Sequence, residues 1–136
     1  ERMVRHSVNA RVTSRDMEVL RAVVRGVVEG NQGLQTVKPQ VAENIDWNKS
    51  YYPVVFNSEE EALHVLDGLE ACGIYARRYF YPALNTLPYI ICPGKTPNAA
   101  KISTSILCLP LYFGLEDEKI TRVIEEVVRL YNEFRS

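Results

Sequence analysis

The fold of this chain depends on one stretch, residues 73–84, which reads Gly-Ile-Tyr-Ala-Arg-Arg-Tyr-Phe-Tyr-Pro-Ala-Leu. It begins with a glycine that can end a helix and then holds four aromatic residues and two arginines. This composition predicts a β-strand over Tyr75–Tyr81 that runs into a loop at Pro82. The loop continues to about residue 97, and a loop of that length in a compact domain more often carries function than not.

The two arginines of this stretch are predicted to point in opposite directions, because successive side chains of a strand alternate between its faces. One face then holds three tyrosines and one arginine: Tyr75, Arg77, Tyr79 and Tyr81. Arg78 and Phe80 point to the other face. A planar guanidinium between phenols suits a phosphate or carboxylate beside a sugar or base ring. The alternative is an arginine stacked on tyrosines at a sheet edge without any ligand.

A helix is predicted directly before the stretch. Ser58 and Glu61 form a capping-box pattern, in which the serine caps the helix and Glu61 reaches back to the serine amide. Gly73 ends the helix in the left-handed conformation. Its buried stripe is expected to consist of Ala62, Val65, Leu66 and Leu69.

Three elements are predicted after the loop: a short helix at Asn98–Ser105, an apolar strand at Ile106–Leu111 and a last helix at Asp117–Phe134. Cys108 in the strand is expected to be a buried, inert thiol. The last helix is expected to expose Arg122, Glu125, Glu126 and Arg129 and to bury an apolar face of Ile120, Val123, Ile124, Val127, Tyr131 and Phe134.

The first half of the chain is divided into an extended lead-in at residues 1–13 and the start of a single domain that spans residues 14–136. Within that domain a helix at 14–29 presents an apolar face of Met17, Leu20, Val23, Val24, Val27 and Val28. A short edge strand at 34–38 and a strand at 50–56 follow. The order of elements predicts an α/β two-layer sandwich, a small mixed sheet with helices mainly on one face.

Composition excludes several classes of function. A chain of 136 residues with a net charge of −1 does not hold nucleic acid by bulk electrostatics. No apolar run approaches the ~18 residues of a membrane helix, and no secretory leader is visible. Cys72, Cys92 and Cys108 lack CxxC spacing, which favours reduced thiols in the cytoplasm over a zinc site or a disulfide framework. Metal ligation is not expected, because His6 and His64 are the only histidines.

Familiar catalytic motifs are missing as well. The seven glycines form no phosphate-binding loop, and no nucleophile elbow is present. No catalytic residue is therefore predicted. His64 is expected to be a solvated side chain in the middle of its helix. The run Glu59–Glu61 is interpreted as a helix start and not as an acid–base pair.

Residues 33–134 resemble the small C-terminal domain of the DegT/DnrJ/StrS sugar-nucleotide aminotransferases, enzymes that use pyridoxal phosphate (PLP). Besides the central stretch, five segments match the family's order and intervals: residues 50–54, 85–89, 99–103, 107–112 and 114–115. Residues 8–13 (Val-Asn-Ala-Arg-Val-Thr) are also similar to a family motif, although Arg15 to Glu18 depart from its continuation.

The resemblance implies a fold-type I aminotransferase fragment that acts on a keto sugar nucleotide in amino-sugar biosynthesis. Arg77, Arg78, Tyr79 and Tyr81 would bind the substrate, and Asn9 would reach the PLP phosphate of a partner subunit. None of the five lysines (Lys38, Lys49, Lys95, Lys101, Lys119) lies in the family's lysine motif. The resemblance therefore implies a missing N-terminal PLP domain and a homodimer, with neither cofactor nor transamination in the fragment alone.

A stand-alone α/β interaction or ligand-binding module is the competing hypothesis. The two can be told apart by the surface, because a fragment should expose an apolar patch where its partner domain belongs.

Overall fold

The computed structural model describes residues 43–44, 52–79, 81–91, 94–112 and 114–136. Their elements, in chain order, are β1 (Tyr52–Val55), α1 (Glu59–Ala71), α2 (Pro97–Ser105), β2 (Ile106–Leu109) and α3 (Asp117–Arg135), with a 3₁₀ turn at Leu84–Thr86 before α2. The predicted α/β architecture is confirmed. The predicted lead-in, the helix at 14–29 and the strand at 34–38 lie outside these residues.

The sheet consists of antiparallel pairs. β1 lies against β2 with Tyr52 opposite Leu109 and Val55 opposite Ile106. Pro53 has no amide hydrogen, yet it fits opposite Cys108, because both backbone groups of Cys108 point away from β1 and bond to Arg77. The sheet was predicted to be mixed, but the pairs in the described part of the chain are all antiparallel.

Helix α1 begins and ends as its sequence predicts. The Ser58 hydroxyl accepts a hydrogen bond from the Glu61 amide at 3.1 Å. The carboxylate of Glu61, however, accepts from the amide of Asn57 at 2.7 Å, one residue before the predicted partner. Gly73 has a φ of 75°, the left-handed conformation that favours glycine after a helix.

The core lies between the two-stranded sheet and the helices α1 and α3. Ala62, Val65 and Leu69 of α1 are completely buried there. Gly68 provides the close approach, because a Cβ atom at this position would lie 2.3 Å from Cδ2 of Leu130. The predicted stripe of α3 is confirmed except at Phe134, which lies in the last turn and is 43% exposed. Leu130, which the prediction left out, is buried as well.

Candidate functional site

Arg77 joins the segment after α1 to strand β2. Its amide donates to the carbonyl of Cys108 at 3.0 Å, and its carbonyl accepts from the Cys108 amide at 2.8 Å. Among the described residues the pairing is limited to this bridge, and the chain enters a turn at Tyr79. The predicted strand Tyr75–Tyr81 is therefore wrong in its extent.

The side chain of Arg77 is exposed and lies beside Tyr79. Its Nη1 donates to the Tyr79 hydroxyl at 2.7 Å, and its guanidinium carbon lies 5.8 Å from the centre of the tyrosine ring. These contacts fix the direction of the guanidinium but use few of its five N–H donors. Within the described part of the chain, no carboxylate pairs with Arg77, so an anion can bind there without first displacing one of these residues.

The side chain of Arg78 is placed differently. Its Nη2 donates to the Glu59 carboxylate at 2.6 Å and to the carbonyl of Thr104 at 3.1 Å. The same guanidinium lies 3.7 Å above the ring centre of Tyr81. Only 16% of the Arg78 side chain is exposed. Its contacts with Glu59, Thr104 and Tyr81 link α1, the end of α2 and the loop.

The predicted face of three tyrosines and one arginine is therefore divided. Tyr79 accompanies Arg77 as predicted, but Tyr81 packs on Arg78. Strand alternation does not apply beyond Tyr79, because the backbone leaves the extended conformation there. The structure thus separates the four predicted site residues into an open pair, Arg77 and Tyr79, and a closed pair, Arg78 and Tyr81.

The open pair lines a cavity of about 630 Å³. Tyr112, Lys119 and Arg122 line the same cavity, the last two from the first turns of α3. Its apolar lining includes Leu109, Leu115 and Val123, all of them buried. Sequence reasoning placed Arg122 on the solvent face of the helix and overlooked its role in a cavity. The available signal was the spacing of Lys119 and Arg122, three residues apart on one helix face.

Two basic side chains of the cavity, Lys119 and Arg122, are held by contacts with other groups of the protein. The ammonium of Lys119 lies 3.1 Å from the Glu116 carboxylate, and this hydrogen bond and charge raise the pKa of Lys119. Arg122 donates through Nη2 to the carbonyl of Cys72 at 3.0 Å, which holds the guanidinium in place without neutralising it. Both side chains are exposed, so a ligand can reach them.

Two other residues singled out from the sequence have different outcomes. Cys108 is 4% exposed, and burial raises the pKa of its thiol, as expected for an inert cysteine. His64 was expected to be solvated, but it is half-buried and its ring lies 5.4 Å from that of Phe134. His64 is half-buried because its face of α1 contacts the last turn of α3.

The loop after Tyr81 exposes large apolar side chains. Leu84, Tyr89 and Ile91 are 77%, 71% and 95% exposed.

In the described ranges no helix combines the length and apolar character needed to cross a membrane. The same residues contain no group of histidine, cysteine and carboxylate side chains that could hold a metal ion.

The structure is a small α/β domain with three basic side chains lining a cavity, and sequence comparison identifies its family. Residues 12–128 match the DegT/DnrJ/EryC1/StrS aminotransferase family. The chain belongs to this family, and the resemblance noted in the sequence is confirmed.

Curated relatives and solved structures agree with this assignment. The chain is 23% identical to the dTDP-4-amino-4,6-dideoxy-D-glucose transaminase of Escherichia coli over 116 residues, 78% of this chain. The Shigella dysenteriae enzyme of the same name is 27% identical over 85 residues, 59% of this chain. The aminotransferase TlmJ from Streptoalloteichus hindustanus has the same fold, with a TM-score of 0.80 and 20% identity over 97% of this chain.

A second structure, Helicobacter pylori PseC, an aminotransferase involved in the biosynthesis of pseudoaminic acid, matches 90% of this chain with a TM-score of 0.64 and 16% identity. The chain spans only part of each relative: 30% of the E. coli enzyme and 23% of the Shigella enzyme. For the two structures the share is 35% of TlmJ and 33% of PseC.

PLP is the cofactor of this family, but the described lysines do not fit covalent attachment to it. An imine forms from a neutral amine, whereas the contact with Glu116 keeps Lys119 protonated. Lys95 and Lys101 are exposed on the surface and do not line the cavity. Asn9, assigned to the PLP phosphate by resemblance, lies outside the described residues, as do Lys38 and Lys49.

Proposed function

We propose that this chain is the C-terminal part of a longer PLP-dependent aminotransferase that acts on a keto sugar nucleotide. The carrying observation is that the chain has both a cavity lined by Arg77 and Tyr79 and a loop whose large apolar side chains are exposed. An exposed apolar loop is what a small domain presents where a larger domain covers it. The share of the relatives' length that this chain spans supports the same conclusion.

The residues of this chain bind and orient the substrate in the proposed enzyme. Arg77 contacts a phosphate of the sugar nucleotide, and the Tyr79 hydroxyl, held by Arg77, lies at the sugar. Arg78 and Tyr81 are positioning residues, because Nη2 of Arg78 bonds to Glu59 and Thr104 and its guanidinium packs on the Tyr81 ring. The carbonyl chemistry belongs to the region of the enzyme that holds PLP.

The test uses the longer enzyme, with a dTDP-linked keto sugar as substrate and Arg77→Gln as the variant. We expect KM for the sugar nucleotide to rise about tenfold, because a hydrogen bond to a charged group is worth ~1.5–3 kcal/mol. The change in kcat should be smaller, since the contact is the same in the ground and transition states. The half-reaction with the amino donor, which involves no nucleotide, should be unchanged.

Arg129→Gln is the matched control, because it removes the same group from an exposed position on α3. An equal loss in both half-reactions of the Arg77 variant would mean that Arg77 supports the fold and does not contact the substrate. The proposal also fails if the reading frame before Glu1 encodes no lysine-bearing domain.

Dimer formation is proposed to involve the apolar face of residues 17–28, which lie outside the described part of the chain. Burying such a face contributes roughly 25 cal/mol per Å² before ordering costs. Val24→Glu should then convert a dimer to a monomer in sedimentation experiments. If both proteins sediment as monomers, this part of the proposal is wrong.

A further inference from the structure

We infer that Glu59, at the start of α1, is a positioning residue for the substrate site and acts through Arg78. The inference rests on the proposed function, because it takes Arg77 and Tyr79 as the pair that contacts the substrate. It assigns a role to a carboxylate outside that pair, which meets Arg78 from nineteen positions earlier in the chain. Substrate binding then depends on the first turn of α1.

Arg78 and Tyr81 stand on either side of the turn that carries Tyr79. The guanidinium carbon of Arg78 lies 3.7 Å from the ring centre of Tyr81, so the two side chains stack on each other across the turn. The Tyr79 hydroxyl accepts a hydrogen bond from Nη1 of Arg77 at 2.7 Å. The stack therefore fixes the backbone from which the Tyr79 side chain reaches Arg77.

The guanidinium of Arg78 is held in an orientation that leaves one of its donors without a partner. Its Nε is buried and makes no hydrogen bond to any of the described residues. A buried donor without an acceptor is unfavourable, because it has lost its hydrogen bond to water and gained none in return. The other contacts of the guanidinium must therefore maintain the observed orientation.

Glu59 provides the strongest of these contacts. Nη2 of Arg78 donates to the Glu59 carboxylate at 2.6 Å and to the neutral carbonyl of Thr104 at 3.1 Å. The bond between two charged groups is both the shorter and the stronger of the two. Without the carboxylate, the guanidinium can rotate to find an acceptor for Nε. This rotation breaks the stack on Tyr81 and loosens the turn.

The experiment measures the kinetics of the longer enzyme with a dTDP-linked keto sugar and the variant Glu59→Gln. We expect KM for the sugar nucleotide to rise about threefold, the effect of losing a partly exposed ion pair. The half-reaction with the amino donor should be unchanged, because it involves no nucleotide. Glu60→Gln is the matched control, since it removes an exposed carboxylate from the same first turn of α1. Its KM should equal that of the wild type.

Two further variants separate positioning from a general effect on the fold. In an Arg78→Gln background, Glu59→Gln should leave KM unchanged, because the carboxylate acts through the guanidinium. Tyr81→Leu keeps the ion pair but removes the stack, so its KM should also rise. Both measurements need only enzymes whose circular dichroism shows a folded protein.

Three results would overturn the inference. The first is an equal rise in KM for Glu59→Gln and Glu60→Gln, which would show a general charge effect at the helix start. The second is a full effect of Glu59→Gln when Arg78 is already replaced, which would exclude Arg78 as the link. The third is an unchanged KM for Glu59→Gln while Arg77→Gln raises it, a result that leaves the proposed function standing. If Arg77→Gln itself has no effect on KM, the proposed function fails and the inference fails with it.

Discussion

The α1–α3 interface and the segment from Tyr75 to Ile91 are neighbours in the fold but differ in what they bury. In the interface, Leu69 is fully buried and Gly68 allows Leu130 to approach within contact distance. In the segment, Leu84 and Ile91 are among the most exposed apolar side chains described. Arg77 lies in this segment: its backbone bonds to Cys108 of β2, and its side chain lines the cavity.

This difference separates stability from recognition. Burial of apolar surface stabilises the fold, whereas an exposed apolar or cationic group contributes nothing until a ligand or another domain covers it. The same substitution should therefore lower the free energy of unfolding more in the α1–α3 interface than in the segment from Tyr75 to Ile91.

The largest difference is expected for leucine. Leu69→Ala should lower the free energy of unfolding by about 2–5 kcal/mol, because it leaves a cavity in a packed core. Leu84→Ala, the same change at a side chain that is 77% exposed, should change it by less than about 0.5 kcal/mol. Urea unfolding measures both. Equal losses would mean that the loop is packed in solution and that the contrast is wrong.

The second pair of substitutions replaces a glycine by alanine, once in the α1–α3 interface and once in the segment before α2. Gly68→Ala gains helix propensity but forces a Cβ against Leu130, and overpacking costs ~1–3 kcal/mol, more than the gain. Gly94→Ala meets nothing within 4 Å and should be neutral or slightly stabilising. Leu130→Ala should cost less in the Gly68→Ala background than alone, because the new methyl group fills part of the cavity. Additive costs would contradict the contact.

The two arginines form the third pair. Arg78→Gln should destabilise the fold by about 1 kcal/mol, since it removes a partly buried ion pair and a hydrogen bond to a carbonyl. Arg77→Gln should leave stability nearly unchanged. A double-mutant cycle of Arg78 with Glu59→Gln should show coupling, whereas the cycle of Arg77 with Glu59 should show none. Coupling in both cycles would remove the distinction between the open and closed pairs.

The smallest effect concerns the thiol of Cys108, whose backbone holds Arg77. Burial raises its pKa from 9.0, so in a Cys92→Ser chain it should react with a thiol reagent more slowly than the half-buried Cys72. The folded thiol stays protonated while the unfolded one ionises. The stability it contributes is therefore complete below about pH 9 and falls as the pH rises further. Fast labelling of Cys108 at pH 8 would show that the segment leaves the sheet.

Local sequence predicted the elements with small errors. The predicted strand at 50–56 forms over Tyr52–Val55, the helix at Asn98–Ser105 begins one residue earlier, and the last helix extends to Arg135. Each signal lies within the element itself: the cap at Ser58, the stop at Gly73 and the apolar spacing along α3. Such signals need no distant partner, so a single sequence contains them.

The candidate site was predicted only in part. The sequence identified Arg77 and Arg78 but assigned both to the substrate, and it did not include Lys119 or Arg122. Strand alternation was the wrong rule beyond Tyr79, where the chain turns. No local pattern indicates that Glu59, nineteen positions earlier, meets Arg78, or that the start of α3 lines the same cavity as Arg77.

By itself, then, the sequence determined the approximate bounds of the described helices and of β1 and β2, and the family to which the chain belongs, because capping, spacing and ordered motifs are local properties. It did not determine the backbone after Gly73, where a single bridge at Arg77 stands in place of the predicted strand. Only the tertiary structure decided which arginine is committed to the fold and which lines a cavity. That choice depends on α1, α2 and α3 meeting around residues 77 and 78, and the packing of distant elements sets the burial and charge of every side chain between them.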